Sequence, residues 1–192
     1  MARASKNQLR IIGGEWRGRK LDFPDVDDLR PTADRVRETL FNWLQMHIPG
    51  ARCLDLFTGS GAIGLEALSR GAAQVVMVEQ DRAAAQQIRQ HLRTLNSSAG
   101  QVENMDVFQY LNEDANDKFD VVFLDPPYRL GCLEKCCEFL EQHSWLSDKA
   151  YIYLEDSRKN PPPSLPKNWK LIRNKTAGDV AYYLALRQQA GS

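Results

Sequence analysis

The sequence predicts an α/β protein: a mainly parallel sheet with helices on both faces. Three observations carry this reading. From Ala51 onward, short apolar runs alternate with helical patterns, the signature of successive strand–helix–strand units. The strand runs are nearly continuous in apolar residues, as strands buried on both faces are. A glycine turn, Gly59-Ser60-Gly61 with Gly64, joins the first of those runs to a helix. At 192 residues, 43% hydrophobic and 26% charged, the chain fits one globular domain with room for a small appendage.

Residues 8–23 come first. Short apolar positions are broken by Gly13-Gly14 and Gly18, and the stretch carries Arg10, Trp16, Arg17, Arg19 and Lys20. It reads as a β-hairpin or glycine-bent arm. Arg30-Pro31-Thr32 then opens a helix, with Thr32 expected at its N-cap, Val36, Leu40, Phe41 and Leu44 on one face, and Pro49-Gly50 ending it. Cys53–Phe57 is a short strand, Ala62–Ser69 a helix closed near Gly71, and Val75–Val78 a second buried strand. Arg82–Leu95 is a helix, Val102 marks a weak strand, and Val107–Leu111 is helical. Val121–Leu124 is a strand, Leu133–Leu140 a helix, and Tyr151–Leu154 another strand. Beyond Pro161-Pro162-Pro163, Trp169–Ile172 and Val180–Leu186 form a closing antiparallel pair. We place a boundary after residue 28, giving an N-terminal basic arm (1–28) and a larger domain (29–192).

Net charge is zero, but its distribution is uneven. Residues 1–20 carry six Lys/Arg against one acid, residues 158–192 seven against one, and residues 101–157 four against thirteen. Basic ends around an acidic middle suggest a polyanionic partner held at the termini. No apolar run approaches the roughly 20 residues of a bilayer span, and Met1–Lys6 lacks a signal-peptide core. A cytoplasmic protein with no membrane association is expected. Cys53, Cys132, Cys136 and Cys137 form no C-x-x-C pair, so free thiols are expected and neither zinc nor a disulfide framework. The three histidines have no metal-ligand spacing.

The most informative segment is Asp125-Pro126-Pro127-Tyr128, which ends an apolar strand. Prolines lack N–H groups and fix φ, so the turn is rigid and its carbonyls stay out of helix and ladder. An Asp carboxylate and the Pro126 carbonyl beside an aromatic face suit a planar group bearing an exocyclic amine. Upstream, Asp55 leads through Phe57 into Gly59-Ser60-Gly61, and Glu79 ends the next strand 20 residues after Gly59. There an acid can take both hydroxyls of a ribose, as NAD or S-adenosylmethionine would present them. Asp55 favours the second, because a carboxylate before the glycine turn repels a pyrophosphate but suits a sulfonium and an amino group. Gln80, beside Glu79, and Val107, beside Asp106, complete the candidate cofactor set with Gly61 and Gly64. Asp106 either accepts from an adenine amine or caps the following helix.

With these sites in order the chain resembles a class I S-adenosylmethionine-dependent methyltransferase. Within that class it is similar to the bacterial 16S ribosomal RNA guanine-N2 methyltransferases of the RsmD type. The matching stretches are Arg10–Gly14 with Trp16–Arg19, Leu29–Thr32 with Asp34–Phe41, Gly59–Gly61 with Gly64–Gly71, and Asp125–Pro127. The resemblance implies a seven-stranded Rossmann-like sheet with a small N-terminal β-hairpin. It also implies methylation of one guanine in a hairpin loop of 16S rRNA, on an assembled or partly assembled 30S subunit. A monomer is expected. Tyr128 stands where the family often carries Phe.

On this reading Asp125, Pro126 and Tyr128 are the catalytic residues. Arg10, Trp16, Arg17, Arg19, Lys20, Arg30, Thr32, Arg35 and Arg37 are the candidate RNA contacts. For the helix arginines, salt bridges to Asp34 and Glu38 are the competing role. The functional rivals are a DNA adenine-N6 methyltransferase, which uses the same acid-Pro-Pro-aromatic logic, and a non-catalytic RNA-binding or assembly factor that keeps the core. A protein-glutamine methyltransferase would prefer Asn at position 125, and a nicotinamide oxidoreductase is disfavoured by Asp55.

Overall fold

The computed structural model describes residues 7–23 and 33–188. Two strands, β1 (Asn7–Arg10) and β2 (Lys20–Phe23), pair antiparallel as a small separate ribbon. The main sheet has seven strands: β3 (Arg52–Asp55), β4 (Gln74–Val78), β5 (Gly100–Glu103), β6 (Phe119–Leu124), β7 (Leu146–Ser157), β8 (Trp169–Ala177) and β9 (Val180–Gln188). Their order is β5-β4-β3-β6-β7-β9-β8, with the first five parallel and β9 antiparallel to both of its neighbours. Among the described residues α1 (Asp34–Trp43) precedes this sheet, and four α-helices connect its strands: α2 (Ala62–Ser69), α3 (Arg82–Thr94), α4 (Val107–Leu111) and α5 (Leu133–Gln142). The expected α/β class and Rossmann-like sheet are present.

Residue alternation along the strands builds two core layers. Cys53, Met77, Phe123 and Tyr153 face a layer with α1, α2, α3 and the ribbon. Leu54, Val76, Val122 and Leu154 face the layer holding α4 and α5. The chain runs outward from β3 through β4 to β5, then returns to lay β6 on the other side of β3. Ligand crevices in such sheets open at the carboxyl ends of the strands where the order reverses. Here that point lies between the ends of β3 and β6, at Asp55 and Asp125.

Several boundaries moved. The N-cap of α1 is Ala33, without a side-chain capping bond; Thr32, expected there, lies outside the described residues. The helix stops at Trp43, and turns fill the rest of the chain to Gly50. β8 runs five residues beyond Ile172 because Arg173–Ala177, though polar, pairs with β9 as a sheet edge. Gly178 makes the two-residue turn between them at φ 57°. All four cysteines are free and buried. Among the described residues no helix is long and apolar enough to cross a membrane.

Candidate active site

Four adjacent parallel strands carry a carboxylate at or near their carboxyl ends: Glu79 after β4, Asp55 on β3, Asp125 after β6 and Glu155 on β7. The alternation that puts Met77, Cys53, Phe123 and Tyr153 in one layer sends these four acids to that same side of the sheet. Asp55 pairs with Met77 and Phe123, whereas Glu155 lies one residue beyond the Leu124–Leu154 pair. Asp55 therefore sits two residues lower than the other three, roughly 7 Å down the strands.

Asp55 is buried, with 1% of its surface exposed. Its Oδ2 accepts hydrogen bonds from Thr58 Oγ1 (2.8 Å) and the Gly64 N–H (3.0 Å). Burial pushes its pKa up to about 7, against the Thr58 and Gly64 bonds and with help from the Glu79 charge. The other oxygen, Oδ1, is buried without a hydrogen-bond partner among the described residues. An orphaned buried acceptor is costly. A cationic donor arriving here would remove that cost.

Glu79 is half-buried and holds the glycine turn from the other side. Its Oε2 accepts from the Gly59 N–H (2.9 Å) and its Oε1 from the Asp81 N–H (2.7 Å). Burial raises its pKa. Gly59 (φ 55°) and Gly61 (φ 84°) both take left-handed backbone that side chains resist, and Gly61 is the N-cap of α2. The N–H groups of Gly59 in the turn and of Gly64 in the first turn of α2 thus point inward at two carboxylates. A phosphate cradle needs them free and aimed at the ligand. This arrangement excludes a pyrophosphate cradle built on those two donors and suits a cation.

The other expected cofactor residues are placed as follows. Phe57 is half-buried and Ser60 buried beside the turn, and Gln80 is exposed beyond Glu79. Gly64 has a packing role: a Cβ there would lie 2.6 Å from Met77 Cγ and Sδ, so its absence lets α2 settle on β4. Asp106 is the N-cap of α4, accepting from the Phe108 (2.8 Å) and Gln109 (3.1 Å) N–H groups, with Val107 buried behind it. The structure thus gives Asp106 a helix-capping role. Asn104, which no motif singled out, donates Nδ2 to the carbonyls of Glu79 (2.8 Å) and Gln80 (3.0 Å), fixing the rim of the crevice.

Across the crevice Asp125 is half-buried and Pro126 buried, and Tyr128 opens a single 3₁₀ turn with 37% of its surface exposed. The Tyr128 hydroxyl turns back to donate to Glu155 Oε1 (3.0 Å), while the Tyr153 hydroxyl donates to Oε2 (2.9 Å). Glu155 is 5% exposed, lies beside Asp125 in the β6–β7 register, and has its pKa raised by burial. Sequence reasoning missed Glu155. Its signal was there: Ile152-Tyr153-Leu154-Glu155 repeats the pattern Val122-Phe123-Leu124-Asp125 on the neighbouring strand.

Of the expected RNA contacts, Arg10, Arg17, Arg19, Lys20 and Arg35 are exposed, and Arg30 and Thr32 lie outside the described residues. Two expectations are corrected. Trp16 is 8% exposed and packs in the main core, with its backbone N–H donating to Ser69 Oγ (2.9 Å). Arg37 is fully buried; it donates to the Arg10 carbonyl (2.9 Å) and to Asp34 (2.6 Å) and faces Glu66 at 3.8 Å. Neither presents a side chain to a polyanion. Both belong to a clamp that fastens the ribbon to α2. Glu66, itself fully buried, accepts from the N–H groups of Ile12 and Gly13 (2.8 Å each) and from Arg70 Nε (2.8 Å).

A parallel sheet whose reversal point carries a glycine turn held by two acids, beside an Asp-Pro-Pro-Tyr turn, has the architecture of a Rossmann-like methyltransferase. The sequence matches the family described as conserved hypothetical protein 95 over residues 9–186, and the chain belongs to that family. It is 50% identical over 188 residues to ribosomal RNA small subunit methyltransferase D of Escherichia coli K12, spanning 98% of this chain and 94% of the relative. A solved, provisionally named methyltransferase from Escherichia coli superposes with a TM-score of 0.90 at 49% identity, covering 96% of this chain and all of that one. A distant structure, solved with S-adenosylhomocysteine, shares the fold at 14% identity and a TM-score of 0.73, over 97% of this chain and 57% of its own.

Proposed function

We propose that the protein transfers the methyl group of S-adenosylmethionine to the exocyclic N2 amine of a guanine in a hairpin loop of 16S rRNA, presented by an assembled or partly assembled 30S subunit. The carrying observation is the adjacency of two sites across the β3–β6 gap: a cation-seeking pocket at Asp55 and Glu79, and an amine-binding turn at Asp125–Tyr128. The relatives' names, which specify small-subunit ribosomal RNA, support the substrate class. When bound, S-adenosylmethionine supplies an electrophilic methyl on a positively charged sulfur.

The residues fit that group. Asp55 Oδ1 would receive the ammonium of the methionine portion, and the negative potential of Asp55 favours the sulfonium nearby. Glu79 would exchange its loop N–H bonds for ribose hydroxyls. On the other side, the Asp125 carboxylate and the Pro126 carbonyl would each accept one hydrogen of the guanine amine. Held so, the nitrogen lone pair leaves conjugation with the ring and points along the line of displacement. As the N–C bond forms, the nitrogen becomes cationic and acidic, and Asp125 takes its proton. The exposed face of Tyr128 would stack on the flipped base. Arg10, Arg17, Arg19, Lys20 and Arg35 would hold phosphates around it.

The test is Asp125→Ala. Transfer of tritiated methyl to undermethylated 30S subunits is expected to vanish, with the calorimetric affinity for S-adenosylmethionine held within about threefold, roughly 0.65 kcal/mol. Parallel loss of both would make Asp125 a structural residue and remove the proposed chemistry.

A further inference from the structure

The rRNA contacts proposed above use one of the chain's two basic ends. The other, residues 158–192, carries seven Lys/Arg against one acid. Its strands β8 and β9 form a hairpin, and neither strand contains an Asp or Glu. Pairing sorts the hairpin's cations, because residues opposite one another in a ladder share a face of the sheet. Arg187 pairs with Trp169 on the face covered by α5, where its Nε donates to Glu141 at 2.7 Å. Lys170 pairs with Leu186, Arg173 with Leu184 and Lys175 with Tyr182. Those ladders continue into Tyr151, Tyr153 and Glu155 of β7, so the three cations share the face of the ribbon and the crevice acids. All three are exposed, and among the described residues no hydrogen bond or ion pair occupies their side chains.

We propose that Lys170, Arg173 and Lys175 form a second phosphate-binding track, which holds the rRNA backbone flanking the nucleotide at the Asp125 turn; this rests on the methyl transfer to rRNA proposed above. The position suits that role. Lys175 stands level with Glu155, and β8 lies three strand spacings from β6, roughly 14 Å across the sheet from the catalytic turn. From Lys175 back to Lys170 the track covers the β9 positions from Tyr182 to Leu186, roughly 13 Å, the length of several phosphates of one strand. Arg158, also exposed, extends it: its backbone N–H donates to the Asp179 carbonyl at 2.8 Å, which holds it beside the β8–β9 turn. β8 ends the sheet, so its outward N–H groups are open to the same phosphates.

Charge explains why the backbone must be held here. Glu79, Asp55, Asp125 and Glu155 line the crevice and repel phosphates, so attraction has to come from its flanks. The ribbon, fastened to α2 by Glu66, supplies cations on the side of β3 and β4, and β8 supplies them on the other. Lysines on an edge strand also deter strand pairing, but that task is indifferent to face. Here Leu171, Asn174 and Thr176, on the opposite face of β8, are uncharged, and the cations are confined to the crevice side.

The experiment measures binding to undermethylated 30S subunits and to an RNA hairpin of about 20 base pairs, from about 50 to 200 mM salt. It compares the wild type, Arg173→Ala with Lys175→Ala, and Lys118→Ala with Lys135→Ala. The last pair removes the same charge from the amino end of β6 and from α5, away from the track. Phosphate contacts are blind to sequence. The Arg173–Lys175 variant should therefore weaken binding to both RNAs at least about fivefold at the lowest salt. It should also flatten each log–log salt slope by roughly 1.4–1.8, about 0.7–0.9 per lost contact. The Lys118–Lys135 variant should stay within about twofold of wild type. Arg173→Gln with Lys175→Gln, which keeps side-chain bulk, should match the Arg173–Lys175 alanine pair, while Tm and S-adenosylmethionine affinity, read as folding controls, stay at wild-type values. Equal losses from the two alanine pairs, or wild-type binding by the glutamine pair, would overturn the track. Unchanged RNA binding with self-association in sedimentation would make the cations guards of the sheet edge, and unchanged binding without it would leave them no role; either overturns the proposal. Failure of the parent reading shows differently. If the wild type methylates no 30S subunit while the Arg173–Lys175 loss persists on the hairpin, the substrate assignment falls and the track stands. If both alanine variants bind and methylate 30S subunits as the wild type does, the track falls and methyl transfer stands. If the wild type binds neither RNA, both fall.

Discussion

Replacing Glu66 by alanine should release the N-terminal ribbon from the body of the protein, and the size of the effect can be worked from its partners. Glu66 is fully buried on α2 and satisfies the N–H groups of Ile12 and Gly13, the Arg70 Nε at 2.8 Å, and the charge of the fully buried Arg37 at 3.8 Å. Breaking a buried ion pair by removing one partner typically costs about 3–5 kcal/mol. Orphaned N–H groups add about 1–3 kcal/mol each when they stay dry. Arg37 keeps Asp34 and the Arg10 carbonyl, and Ile12 and Gly13 are only part-buried, so water can reach them once the ribbon loosens. The lower end, about 3 kcal/mol, is therefore the expectation. For a protein of this size that lowers Tm by roughly 6–12 °C. Calorimetric melting measures it, and trypsin provides a second readout, because Arg17 and Arg19 at the ribbon's exposed turn should be cut faster. A Tm within about 2 °C of wild type, with unchanged cleavage, would refute the clamp.

Other outcomes follow from the same geometry. Asp55 has a folded-state pKa near 7 against an ordinary 3.8, so its contribution to stability is fully present below pH 4 and is lost as pH rises to 7. A cationic ligand reverses that shift, so binding of S-adenosylmethionine near pH 6 should release up to one proton. Calorimetry in buffers of different ionisation enthalpy reads this, and Asp55→Asn should abolish the release; an unchanged release would place the proton elsewhere. Arg17→Ala with Arg19→Ala should flatten the salt dependence of 30S binding by roughly 0.7–0.9 in log–log slope for each phosphate that is no longer neutralised. Trp16→Ala should instead destabilise the fold by about 3–5 kcal/mol, as a buried indole does, visible as a large fall in Tm. If Trp16→Ala changed binding with no loss of stability, the burial assignment would be wrong.

The order of elements was legible because apolar runs of four to six residues bounded by glycine or polar loops leave little choice but strands, and their alternation with helices forces a parallel sheet. Two sites were legible for the same reason: Asp55, Glu79 and Asp125 interrupt apolar runs at strand ends, where side chains must face a crevice. What stayed hidden depended on which layer covers which. Trp16 and Arg37 look like nucleic-acid contacts in one dimension, since a basic arm with a tryptophan is the usual composition of one. Only the fold shows α2 lying against them, with Glu66 and Ser69 supplying acceptors inside a helix buried on every side. Glu155 escaped because pairing across β6 and β7, not spacing along the chain, brings it to Asp125 and Tyr128. The far half of the edge strand β8, Arg173–Ala177, escaped because it is polar and its pairing is backbone alone.

The central claim is that the turn at Asp125–Tyr128 presents a guanine amine to a methyl donor held at Asp55 and Glu79. The most direct measurement is nucleoside mass spectrometry of 16S rRNA from undermethylated 30S subunits, incubated with S-adenosylmethionine and either the wild-type protein or Asp125→Ala. The account predicts one N2-methylguanosine per subunit with the wild type and none with the variant. A product at adenine N6, or N2-methylguanosine formed equally well without the Asp125 carboxylate, would contradict it.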